Sequence, residues 1–154
     1  MLTAHPIQQD IDVERLRFIR NVTSWGYSNH TAQISAEQQR TWWAENRERM
    51  RGWLYRDEFK QLVGFGLIRQ DDEGFWLTVV GVLPGHEGRG FGKFITHDIV
   101  TRAPGRCKAT ARKDNPGAVK LHVDSDWEIV EGPDERLVYF LGRAEVGEKA
   151  EVPV

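Results

Sequence analysis

Three glycines alternate with two larger side chains in Gly88-Arg89-Gly90-Phe91-Gly92, and Lys93 follows. A loop of this kind, opening a helix, leaves backbone N–H groups without partners and removes the side chains that block close approach. The chemistry it offers is phosphate binding, with Arg89 and Lys93 adding positive charge. Two better-known cradles are excluded by position. A P-loop needs Gly five residues before the Gly of its Gly-Lys pair and Ser or Thr after it, whereas Glu87 and Phe94 stand there. The dinucleotide fingerprint lacks its third Gly, the stretch beyond Gly92 offering Phe94 instead. The rival reading of the same residues is a glycine turn that joins strand to helix for packing alone.

Other reactive residue types are dispersed. Cys107 is alone and falls in an expected buried strand without an oxyanion-turn signature, which argues against a Cys-His hydrolase using His122. Asp71-Asp72-Glu73 reads as a solvated hairpin tip, because consecutive carboxylates on a turn splay outward; no metal is expected. Trp25, Tyr27, Trp42 and Trp43 crowd one short region, interrupted by Ser28, Asn29 and His30. One helix and one loop bury fewer aromatics than that, so an aromatic wall for a flat or ring-shaped partner is one reading, and Trp also attracts ammonium groups. Packing of both Trp42 and Trp43 against a sheet is the other.

The elements that would position these residues follow from periodicity. Phe75 to Leu83 is apolar and β-branched, which reads as a strand buried on both faces and ended by Pro84. From Phe91 the spacing becomes helical, with Phe91, Phe94, Ile95 and Ile99 on one face and Lys93, Thr96 and His97 outside it. Ahead of these, Leu2 to Gln8 suits an edge strand interrupted by Pro6, and Asp10 or Asp12 suits the cap of a helix carrying Ile11, Arg15, Leu16 and Ile19. Ser35 with Gln38 makes a capping box for a helix that bears the tryptophans and Glu45. Gly52 to Arg56, Phe59 to Arg69 and the Phe75 strand form a meander joined by acidic turns. Arg106 to Arg112 returns beside the Phe75 strand through a helical crossover, giving a parallel pair in an otherwise antiparallel sheet. Asn115 and Pro116 open a last helix, and Trp127 to Glu131 pairs with Arg136 to Gly142.

The chain has 154 residues, enough for one domain with a real core, over 1–142, and a loose tail is expected over 143–154. A net charge of −2 gives no nucleic-acid footprint. A lone cysteine suits a reducing compartment, and no apolar run has the length of a membrane span, so a cytoplasmic protein without membrane partners is expected.

Glu87-Gly88-Arg89-Gly90-Phe91-Gly92 resembles the pyrophosphate loop of the GNAT superfamily of acyl-CoA N-acyltransferases, with Glu87 in place of the usual Arg or Gln. Asn115, Ala118, Leu121 and His122, then Asp126-Trp127, keep the spacing of a second segment of that family, His122 standing where many relatives have Tyr. The resemblance covers about Leu62 to Gly142. It implies an α/β (α+β) fold, with a mostly antiparallel sheet, one parallel pair splayed at the acyl-CoA site and helices on both faces. It implies acetyl-CoA as cofactor, held by Gly88 to Lys93 and Asn115, with Glu87 turned away from the phosphates or paired with a neighbouring Arg. If the Phe75 strand bulges near Gly81, backbone groups of Val80, Gly81 and Val82 would hold the pantetheine arm. By the same resemblance His122 would protonate the leaving thiolate, or else serve as a core or surface histidine. Many relatives carry a carboxylate base on the central strand; here that strand has none, and Glu45, His30 or a water chain are the candidates. The implied reaction is acetyl transfer to a primary amine of a small molecule, an amino sugar or similar, bound by Trp25, Tyr27, Trp42 and Trp43. Peptide acetylation and silent acyl-CoA binding are the alternatives, and a homodimer is compatible with the resemblance.

Overall fold

Pro6 has no N–H for a ladder, and the strand that holds it, β1 (Thr3–Pro6), forms one edge of the sheet. The computed structural model describes residues 1–23 and 33–142. Within them β1 is followed by α1 (Asp10–Thr23), α2 (Ala36–Asn46), β2 (Met50–Arg56), β3 (Leu62–Gln70) and β4 (Trp76–Val82). Then come α3 (Phe91–Arg102), β5 (Cys107–Arg112), α4 (Pro116–Asp124), β6 (Glu128–Val130) and β7 (Leu137–Leu141). The strands make one seven-stranded sheet in the order β1-β2-β3-β4-β5-β7-β6. Only β4 and β5 are parallel.

Side chains close the helix and turn ends that the sequence marks. Ser35 Oγ accepts from Gln38 N at 3.0 Å while Gln38 Oε1 accepts from Ser35 N at 2.8 Å, a complete capping box. Asn115 Oδ1 accepts from Ala118 N at 3.2 Å, with Pro116 in the first helical position. In α1 the cap comes from inside the helix: Asp12 reaches back, its Oδ2 accepting from Gln9 N at 3.0 Å and Gln8 N at 3.2 Å. Asp71 Oδ1 accepts from the N–H groups of Glu73 and Phe75, both at 2.9 Å, and closes the β3–β4 hairpin. Among the described residues, no group of three His, Cys, Asp or Glu could hold a metal ion, and no helix is long and apolar enough to cross a membrane.

Two apolar clusters, one on each sheet face, hold the helices. Val13, Leu16 and Ile19 of α1 pack with Leu54, Phe65 and Leu67, with Trp42 and Trp43 at the margin. On the other face Ile95 and Ile99 of α3 meet Tyr55, Ile68 and Trp76, joined by Ala118 and Val119 of α4. Tyr55 ties the two layers, its hydroxyl donating to Asp98 Oδ2 of α3 at 2.6 Å.

Three expectations about faces need correction. Ile11 is 51% exposed, and Val13 takes its place in the buried stripe of α1. Thr96 is buried rather than outside, because its Oγ1 donates to Gly92 O at 2.8 Å and so needs no water. The strand β4 is not buried on both faces: only Trp76 is fully enclosed and Val79 is 46% exposed. Val80 and Val82 pack against the α3 cluster while the strand also borders an opening in the sheet.

Candidate functional site

The opening begins where β4 and β5 part. They pair at only two positions, Trp76 with Cys107 and Leu77 with Lys108. Just beyond, the Thr78 hydroxyl donates to Lys108 O at 3.4 Å. Trp76 donates its N–H to Arg106 O, so alternate residues of β4 aim their backbone toward β5 and the others toward β3. By that alternation Val80 and Val82 present N–H and C=O groups to the gap, where β5 no longer pairs with them, while Gly81 is tied to Phe65 of β3. The register from Gly64↔Val82 to Gln70↔Trp76 is unbroken, so the expected bulge near Gly81 is absent. The gap forms because β5 diverges, and β4 need not distort.

At the Val82 end of the gap stands the glycine loop. Gly88 and Gly90 have φ of +76° and +79°, a left-handed conformation that only glycine adopts without strain. A Cβ built on either meets nothing within 4 Å, so their outer side is open. Gly90 is the N-cap of α3 and no side chain caps that end. The uncapped first turn, with Lys93 in it, therefore leaves backbone N–H donors and a positive charge of the kind that attract anions. Glu87 is turned back on its own loop, its Oε2 accepting from Gly85 N at 2.8 Å. A cleft of about 430 Å³ runs from this loop and Val82 to Gly117, Lys120 and Leu121 of α4.

At the Leu77 end, on the face covered by α1 and α2, lies a second cleft of about 520 Å³. Trp42, Arg69, Leu77, Val79, Lys108 and Tyr139 are among its walls. Asp71 and Glu131 also line it.

Of the residues singled out in the sequence, Val80, Val82, Gly88, Gly90, Gly92 and Lys93 gather around the gap and loop; Arg89 leans over Phe91, 4.8 Å from its ring centroid. Asn115 lies at the head of α4, committed as a cap through Oδ1. Trp42 lines the Leu77 cleft, but Trp43 packs half-buried against the α1 cluster and does not. Glu45 is exposed on α2 and lines neither cleft, so geometry gives it no base role. Trp25, Tyr27 and His30 lie outside the described residues.

His122 is also not where a proton donor to the gap belongs. It is buried, stacked on Phe140 with centroids 4.7 Å apart and edge-on to Trp127 at 5.0 Å. Its Nδ1 lies 2.8 Å from Ala118 O. A carbonyl there accepts the Nδ1 proton, leaving Nε2 of the neutral ring without one to give. Burial pushes its pKa down, against the smaller upward pull of Ala118 O, so the neutral form prevails. His122→Phe should thus hold kcat within about a factor of ten, against the roughly 10²- to 10⁴-fold loss of a missing acid. Because the unfolded chain binds the proton more readily, stability falls as pH drops below about 6.5, and the Phe variant should lack that share of the slope. Urea melts from pH 5 to 8 and kcat measured alongside check both.

The model of the acetyltransferase (GNAT) family matches residues 16–124. The chain belongs to that family. As a GNAT member it is an acyl-CoA N-acyltransferase with acetyl-CoA as acyl donor. Its fold is shared with a Vibrio cholerae spermidine N-acetyltransferase solved with CoA and spermine, at 14% identity and TM-score 0.69 over 91% of this chain and 92% of that one. A GNAT-family acetyltransferase from Streptococcus pneumoniae is similar at 14% identity and TM-score 0.71, over 94% and 99%. No curated protein matches the GNAT chain in sequence.

The residues missed in the sequence are those of the Leu77 cleft: Arg69, Lys108, Glu131 and Tyr139. They come from β3, β5, the position just after β6, and β7, and no local spacing links them.

Proposed function

We propose that this GNAT acetyltransferase moves the acetyl group of acetyl-CoA directly to the primary amine of a small molecule seated in the Leu77 cleft. The observation that carries this reading is the gap between β4 and β5. Val80 and Val82 line it with unpaired backbone groups, the anion-binding loop closes one end and the Trp42 cleft the other. In this reading Gly88, Arg89, Gly90, Phe91, Gly92 and Lys93 surround the diphosphate. Val80, Gly81 and Val82 border the pantetheine arm, and Asn115 stands beside it. Bound acetyl-CoA supplies an activated thioester carbonyl.

The amine must reach that carbon neutral, so the ammonium would first give one proton to bulk water; formation of the N–C bond with loss of the C–S bond would then release a second proton from nitrogen, and the thiolate would take up one in its place. The protein's part is to bring both groups to one place in a cleft bordered by the apolar side chains of Leu77, Val79 and Trp42. Trp42 offers an indole face of the kind that packs on a flat or ring-shaped acceptor such as an amino sugar.

A thiol-release screen with acetyl-CoA over small amines, amino sugars and peptides tests the reading. Release with small amines supports it, whereas release only with peptides, or with none, overturns it. Trp42→Ala should raise acceptor KM by on the order of tenfold and leave the KM of acetyl-CoA nearly unchanged, while Trp43→Ala should alter neither.

A further inference from the structure

We infer that the acceptor carries an oxyanion, a carboxylate or phosphonate on the same small molecule as its amine, and that Arg69 binds it. The inference rests on the acceptor cleft proposed above and narrows what enters it. Four charged side chains line that cleft: Arg69, Asp71, Lys108 and Glu131. Two of them are already balanced. Asp71 holds its hairpin through Oδ1, and its Oδ2 lies 4.0 Å from Lys108 Nζ. Lys108 Nζ is equally 4.0 Å from Glu73 Oε1 and 4.0 Å above the Phe75 ring.

Arg69 has no carboxylate partner among the described residues. It pairs in register with Leu77, which puts its side chain on the same sheet face as Leu67 and Val79, the face that lines the cleft. A second cation borders Trp42, without an anion among the described residues. Arg20 of α1 lies 4.9 Å over the Trp42 ring and, among the described residues, donates to the neutral Gln39 Oε1 at 3.2 Å. Burial lowers its pKa and no carboxylate offsets the effect. Among the described residues, Arg69 in the cleft wall and Arg20 over the Trp42 ring thus lack a carboxylate partner, as Glu131 of the same cleft lacks a cation.

A polyamine brings several ammonium groups and would meet like charge here. An amine that also bears a carboxylate or phosphonate meets the Arg69 fork, which binds a planar oxyanion through two parallel N–H donors. Arg69 is exposed and makes no structural bond, so removing its charge should leave the fold alone.

The test pairs each anionic acceptor with its neutral twin: leucine against leucinamide, and 2-aminoethylphosphonate against ethanolamine, with spermidine added. The parent should prefer at least one anionic member by tenfold or more in kcat/KM. Arg69→Gln should abolish that preference by raising the KM of the anionic member far more than that of its neutral twin, and Arg69→Lys should restore part of it. Equal use of both twins, a preference for spermidine, or an unchanged Arg69→Gln variant overturns the inference while leaving small-amine transfer intact. If no amine releases thiol, calorimetry of the same ligands into the CoA-loaded protein separates the two ideas. Anion binding lost in Arg69→Gln keeps this inference and ends the transfer reading; no binding ends both.

Discussion

Gly90→Glu should abolish acetyl-CoA binding in a protein that still folds. Gly90 is the uncapped N-cap of α3 at φ +79°, and its outer side is open. Any side chain there is strained by about 1–2 kcal/mol, which this fold can absorb. A carboxylate is also tolerated by the positive end of α3 and costs the helix nothing. What it cannot share is the space and the N–H donors that a diphosphate would use. Calorimetry should show the Kd for acetyl-CoA rising by on the order of 100-fold or more, a loss of about 2.7 kcal/mol or greater. Gly90→Ala carries the same strain without the charge and should lose far less. Equal affinity in parent and Glu variant would remove the loop from the donor site.

The second large effect is expected at Gly64, on the strand next to the gap. A Cβ there would lie 2.5 Å from Gly81 O and 3.0 Å from Ile95 Cδ1. The carbonyl belongs to the backbone of β4 and cannot rotate aside, so β4 must move. Gly64→Ala should cost about 1–3 kcal/mol by overpacking, a drop of roughly 2–4 °C in Tm for each of those. Because the displaced strand carries Val80 and Val82, the KM for acetyl-CoA should rise as well. Gly52→Ala is the control. Its Cβ also comes within 2.5 Å of a neighbour, but that atom is Leu67 Cδ2 at the end of a flexible side chain, and β4 is untouched. Thermal melts with KM measured below the transition distinguish the two; a Gly64 variant with normal KM would uncouple β3 packing from the site.

What was legible in the sequence was mostly local. The Ser35 box, the Asn115-Pro116 helix start and the Asp71 turn each depend on residues within five positions of one another, the strand–glycine–helix unit on one unbroken stretch, and each is present. The order of elements then sufficed for the sheet, since a crossover helix between Phe75 and Arg106 leaves a parallel pair as the simple outcome. The acceptor side was not legible in the same way. Arg69, Lys108, Glu131 and Tyr139 meet only because strands pair in a given register, and single residues at strand ends look alike whether they face a cleft or water. The reading of β4 failed for a related reason. A run of apolar residues signals a surface kept from water, and here that surface flanks an opening in the sheet. His122 shows the limit of motif spacing: its position in the chain matched a catalytic one, while its ring turned to Phe140 and Trp127.

The two-rung contact between β4 and β5 also divides the chain by history. Every strand on one side of it, β1 to β4, comes from residues before 83, and every strand on the other comes from residues after 106. The seam in the sheet is thus a seam between the first-made and last-made parts of the polypeptide, and the glycine loop with α3 is the covalent thread that crosses it. A ligand that grips this thread and lies along the gap touches both parts at once. Its binding energy acts as assembly energy, so the two halves should hold together better with the acyl donor bound than without it.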